Sequence, residues 1–176
     1  MMDKYKENFE KGPQHYIQLL EEINWFSSPY VNKEELLTTI ENCTFPPYYG
    51  TYLAQYAFDS AYDGLDLLED VLHYIQRIIP TFQFEILTDK ILITFTETTY
   101  PIPLDIASFE LGESPTNFFE EVINPLLEQE QSAYLFYELP PSDQCSSLVF
   151  VKPEVYNQAI ERGVIPDFMG YYAINY

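Results

Sequence analysis

Apolar residues recur at helical spacing through most of the first eighty positions and at strand spacing beyond them. In residues 14–26, Ile17, Leu20 and Ile23 repeat every third position, which predicts a helix that stops before Ser27-Ser28-Pro29. Asn32 is placed to cap a second helix, with Glu34 and Glu35 in its first turn and Leu36, Leu37 and Ile40 facing inward. The run Phe45-Pro46-Pro47-Tyr48-Tyr49-Gly50 breaks the pattern and reads as a loop. Helical spacing resumes over residues 51–79, as one helix or as two hinged at Gly64, and Pro80 stops it. Phe82-Gln83-Phe84-Glu85-Ile86 alternates, Thr88-Asp89-Lys90 turns, and Ile91-Leu92-Ile93-Thr94-Phe95 returns as a hairpin. A third strand over residues 100–106 is confined to an edge by Pro101 and Pro103. Ser114-Pro115 opens a helix over residues 116–131, which Pro125 should kink or split, with Phe118 and Phe119 in the core. Residues 133–139 and 147–151 read as strands, and Pro153 opens a short helix closed by Gly163. Residues 169–176 are expected as a last strand. The fold class is α+β: a single domain over residues 1–176, in which a helical part (1–80) packs on a mostly antiparallel sheet. Residues 81–176 are then strand-rich with two helices.

Composition agrees with a packed core: 47% of residues are hydrophobic and 17% aromatic, too many for a disordered acidic tail. Charge is what stands out. Twenty-eight acids against eight bases leave −20. Wrapping nucleic acid takes Lys and Arg to displace counterions, so direct nucleic-acid binding is not expected, nor is docking on anionic lipid. The N-terminus is charged and no apolar run is long enough to span a membrane, so the cytoplasm is the expected compartment. Cys43 and Cys145 form no C-x-x-C pair and are expected as free thiols.

On a helical wheel the segment 51–79 sorts sharply. Leu53, Ala57, Ala61, Leu65, Leu68, Leu72, Ile75 and Ile79 fall within about 120° and form a core stripe. Tyr52, Tyr56, Asp59, Asp63, Asp66 and Asp70 fall within about 80° on the other side. Such a row is what the solvated outer face of an acidic protein presents. It is also a locally costly arrangement, because aspartate is a poor helix former and like charges one turn apart repel. Tyrosines beside charge suit interface anchors, so these six residues are the candidate partner-binding site. A second acidic feature is the span from Ile91 to Val151, which contains no Lys or Arg and ten acids. Four of these, Glu110, Glu113, Glu120 and Glu121, gather near the start of the helix at Thr116, where its dipole favours them.

Chemistry-bearing motifs are absent from the sequence. His15 and His73 belong to no catalytic pattern, and His73 is expected on a helix surface. No zinc, EF-hand, P-loop, dinucleotide or nucleophile-elbow spacing occurs, and Asp59-x-x-x-Asp63 is at most a weak cation pair. The expectation is a binding protein without catalytic residues, metal or cofactor. By size, acidity and the Asp59–Asp70 stripe, the chain resembles bacterial toxin immunity proteins. That resemblance implies a stoichiometric complex in which acidic residues occupy the Lys/Arg cleft of a basic toxin or nuclease domain. Two alternatives stay open: a DNA mimic that inhibits DNA-binding proteins, and a housekeeping adaptor or enzyme whose charge serves solubility.

Overall fold

A computed structural model describes residues 4–42, 53–59, 64–104, 116–142 and 145–166. Along the chain run α1 (Lys4–Glu10), α2 (Pro13–Glu22), a 3-10 turn (Trp25–Ser27), α3 (Lys33–Glu41), β1 (Tyr56–Asp59) and α4 (Gly64–Ile78). They are followed by β2 (Phe82–Ile86), β3 (Lys90–Phe95), β4 (Thr98–Pro103), α5 (Thr116–Phe118), a π turn (Phe119–Ile123) and α6 (Asn124–Gln129). The described chain closes with β5 (Leu135–Ser142), β6 (Cys145–Val151) and α7 (Pro153–Glu161). Two three-stranded sheets result, in the orders β1-β6-β5 and β2-β3-β4, so the fold is α+β as the sequence pattern implies. The loop at 45–50, the cap Ser114-Pro115, Cys43, Glu110, Glu113 and the strand expected at 169–176 lie outside the described residues.

The chain forms two compact units that interleave in sequence. Unit 1 comprises residues 1–57, 133–143 and 147–176; unit 2 comprises residues 58–132 and 144–146.

In unit 1 the N-terminal helices bury Tyr16, Ile17, Leu20, Ile23, Trp25, Leu36 and Ile40 in one core with Leu139, Val149, Val151 and Ala159. Asn32 caps α3 as expected: its side chain accepts from Glu35 N at 3.2 Å. The helix expected over 14–26 ends earlier, because Asn24 takes a left-handed φ of 58° that asparagine tolerates and the chain re-enters as the 3-10 turn. The C-terminus of α7 is held by α1 and α2. Its last carbonyls lack intrahelical partners. Lys4 Nζ donates to Glu161 O at 2.8 Å, Asn8 Nδ2 to Arg162 O at 2.7 Å, and Tyr16 OH to Val164 O at 2.8 Å. Gly163 makes the turn at φ +70°, with Val164 N reaching back to Ala159 O at 2.7 Å. A side chain at 163 would lie 2.8 Å from the backbone carbonyl carbon of Lys4.

Unit 2 contains the antiparallel hairpin and its edge strand. Phe82 pairs with Phe95, Phe84 with Ile93 and Ile86 with Ile91; across β3, Ile93 pairs with Tyr100 and Leu92 with Pro101. Phe82, Ile91, Ile93 and Phe95 are buried. The helical stretch from Thr116 to Gln129 carries two rows of buried residues, Phe118/Val122/Leu126 and Phe119/Ile123/Leu127, each with a spacing of four. In an unbroken α-helix eight residues overshoot two turns by about 80°, which would swing the ends of each row off the core. The π turn takes up one extra residue, marked by Asn124 N–H bonding to Phe119 O, and turns the overshoot into a shortfall of only about 20°. It sits directly before Pro125, whose missing N–H makes the break cheap there. The splitting expected from Pro125 thus takes the form of a π turn.

Candidate functional site

The helix expected from Thr51 does not run as one piece. Gln55 docks the chain on β6: its N–H donates to Leu148 O at 2.9 Å, its Oε1 accepts from Phe150 N at 2.6 Å, and its Nε2 donates to Tyr30 O at 3.1 Å. From there Tyr56–Asp59 is strand, and the helix starts only at Gly64, at φ +62°. In extended backbone, a spacing of three or four no longer means a shared face. The six-residue face is therefore not formed. Tyr56 opens β1 and is half-buried; Asp59 closes it; Tyr52 and Asp63 lie outside the described residues; Asp66 and Asp70 alone of the six sit on α4, both exposed.

What α4 does present is a different row. Its core side is Leu67, Leu68, Val71, Leu72, Tyr74 and Ile75. Its solvent side is Leu65, Asp66, Glu69, Asp70, His73, Gln76 and Arg77. Leu65, expected in the core stripe, is 54% exposed, an exposed large hydrophobic in the first turn. The phase of the shortened helix, set by the pairs Leu67/Leu68 and Val71/Leu72, turns it outward. Asp66 lies in the first turn and Arg77 in the last, where the helix dipole favours each sign. Asp70 has no such local reason, and the dipole does not account for Glu69 either. Glu69 reaches His73 Nε2 at 3.8 Å, and the His73 ring meets the edge of Phe84 on β2 with centroids 5.0 Å apart. Glu69 was missed in the sequence because the assumed phase began at Thr51, not at Gly64.

Other polar groups in the molecule have structural work. His15 Nε2 lies 3.3 Å from Asn8 Oδ1 and orients the amide that caps α7. Tyr100 donates to Glu130 Oε1 at 2.7 Å; this hydrogen bond, with partial burial and the carboxylate's charge, holds its hydroxyl pKa above the usual value. Glu120 and Glu121 face solvent from the π turn. Among the described residues, no group of three His, Cys, Asp or Glu side chains is placed to hold a metal ion. Nor is any helix among them long and apolar enough to cross a membrane.

Comparison of the chain with protein-family models, with curated proteins and with solved structures finds no match. The site must be read from its own chemistry: a row of exposed carboxylates beside an exposed leucine, on the more acidic of the two units. Unit 2 has fifteen acids and two bases in 78 residues, a net −13.

Proposed function

We propose that the protein is a cytoplasmic acidic binding protein that neutralises a basic protein, of the toxin or nuclease-domain kind, by forming a stoichiometric complex. One observation carries the reading: Asp66, Glu69 and Asp70 are exposed beside exposed Leu65 in the first two turns of α4, in a unit whose net charge is −13. An interface needs an apolar anchor within a charged rim, and this face supplies both. The field of unit 2 speeds encounter with a basic partner, and close charge pairs then slow release. The working core of the proposal is the α4 row.

The test is retention of proteins from a lysate of the source organism on the tagged chain, washed at low and at high salt, with wild type beside the triple variant D66K/E69K/D70K. One basic protein held at unit stoichiometry by wild type and lost by the variant supports the proposal. Many DNA-binding proteins released together by salt would mean a DNA mimic. Equal retention of one partner by both proteins would remove α4 from the site.

A further inference from the structure

The sheet β2-β3-β4 has two edges, and their backbones differ. Leu87 N donates to Lys90 O at 2.8 Å, and Glu85 pairs with Leu92 and Gln83 with Thr94, so these odd-numbered residues bond to β3. Phe82, Phe84 and Ile86 therefore turn their N–H and C=O groups to the outer edge. Two observed bonds bear this out: Phe82 N donates outward to Ile79 O at 2.9 Å, and Phe82 O accepts Gln76 Nε2 at 3.4 Å. Phe84 and Ile86 have no backbone partner for their outward groups among the described residues. On the opposite edge, Leu104 N donates to Asp89 O at 3.1 Å, and Ile91 pairs with Ile102 and Ile93 with Tyr100. The outward positions of β4 are then Thr99, Pro101 and Pro103, and the two prolines have no N–H to offer. Proline at outward positions is a known guard against strand addition. β4 is guarded in this way and β2 is not.

The outer edge of β2 is bordered by α4. Gln76 reaches the carbonyl of Phe82, and one turn earlier His73 meets the Phe84 ring. Continuing toward the helix start, Glu69, Asp66 and Asp70 stand exposed. A strand added along Phe84–Ile86 would run beside that row, with half-buried Phe84 and Ile86 next to its apolar side chains. Strand addition draws affinity from main-chain bonds and specificity from alternate side chains. The complementary sequence alternates Lys or Arg with apolar residues.

We propose that the outer edge of β2, walled by α4, receives an extended basic segment of a protein partner as a fourth strand. The inference rests on the reading of the protein as a binder of a basic partner, and adds the conformation in which that partner is held.

The probe is a short peptide of alternating lysine and valine, compared with a copy N-methylated at every residue, which keeps the charge and loses the donors. Both are titrated into the isotope-labelled full chain at low salt. The proposal expects the unmethylated peptide to bind at least about tenfold tighter, which is about 1.4 kcal/mol. It also expects the Phe84 and Ile86 amides to become protected from exchange. Ile86→Pro removes one outward donor and leaves the β3 ladder whole, so it should weaken the peptide by a similar factor with the spectrum outside β2 unchanged. Equal binding of both peptides, with Phe84 and Ile86 amides still exchanging freely, overturns strand addition and leaves the charge-based reading standing. Absence of binding by either peptide also overturns the inference; the functional reading fails separately, if the triple α4 variant still holds the partner.

Discussion

Unit 1 and unit 2 use charge in opposite ways. Unit 1 has 98 residues and six of the eight bases, against thirteen acids, a net −7; unit 2 reaches −13 in 78 residues. In unit 1 the bases tie elements together. Arg162 meets Glu22 at 2.6 Å, Lys33 meets Glu21 at 3.2 Å and also lies 4.9 Å above the Phe26 ring, Lys4 caps α7, and Lys152 lies 5.9 Å from the centre of the Tyr134 ring. In unit 2 the α4 carboxylates stand side by side in water. Exposed ion pairs contribute little to stability, so the contrast is not between a strong unit and a weak one. It is between a unit whose bases are engaged by its own acids, carbonyls and rings and one whose acids outnumber its bases fifteen to two. The second kind of surface is where a basic partner is drawn.

The strongest way to break this comparison is Gly163→Ala. The position needs φ +70°, and the added carbon would sit 2.8 Å from the Lys4 backbone, so α1 must move off the end of α7. The expected loss is about 3 kcal/mol, combining left-handed strain with a backbone clash. Trp25 is the only tryptophan and is 1% exposed in the core of unit 1, so its fluorescence reports that loss as a lower urea midpoint. Amide exchange in α4 should change far less. Equal loss of protection in α4 and in α2 would mean that the two units unfold as one, and the comparison would lose its thermodynamic meaning.

Smaller changes sharpen it. Asn32→Ala removes the cap of α3 and should cost unit 1 about 1 kcal/mol, read by the same fluorescence. In unit 2, Thr96 occupies the first central position of the β3–β4 turn at φ +51°, where a β-branched residue is strained. Glycine is favoured at that position of a two-residue hairpin turn. Thr96→Gly should therefore stabilise the hairpin by about 0.5–1 kcal/mol, seen as slower exchange of the Ile93 and Phe95 amides. A loss of protection there would show that the turn depends on the threonine side chain.

Local signals in the sequence were sufficient wherever the structure is locally determined. The cap at Asn32, the hairpin of Phe82–Ile86 with Lys90–Phe95, the edge position of Pro101 and Pro103, and the stop at Gly163 each rest on a few neighbouring residues. The candidate site was only partly legible. Asp66 and Asp70 are exposed on a helix as expected, but Tyr56 and Asp59 belong to a strand because residues 55–59 pair with β6, some ninety positions away. No local periodicity records that pairing: Leu53, Ala57 and Ala61 fit a helix as well as the rest of the stripe does. The π turn did have a signal, the spacing of four in Phe118, Val122 and Leu126, which an α-helix cannot keep on one face. Prolines 140 and 141 within β5 are tolerated because β5 is an edge strand, a fact that depends on sheet order and not on the segment itself.

The finest test concerns the α4 row itself. Asp66 and Asp70 are like charges one turn apart, and Asp66 and Glu69 are three apart on the same side. Each such pair opposes the helix by a few tenths of a kcal/mol. If the acidic excess of unit 2 acts on α4 in solution, Asp70→Asn should stabilise α4 by about 0.5 kcal/mol at low salt, and the gain should vanish as salt screens the row. Asp66 is a poorer choice, since its carboxylate also answers the helix dipole, and its loss would mix two opposing effects. The measurement is amide exchange across α4 at two ionic strengths, with α2 of unit 1 as the internal reference. A stabilisation of α4 that persists undiminished at high salt would trace the effect to aspartate's poor helix propensity, and the charge contrast between the units would then say nothing about stability. A stabilisation confined to low salt would show that the chain maintains this row against its own electrostatic preference, as a surface that waits for positive charge must.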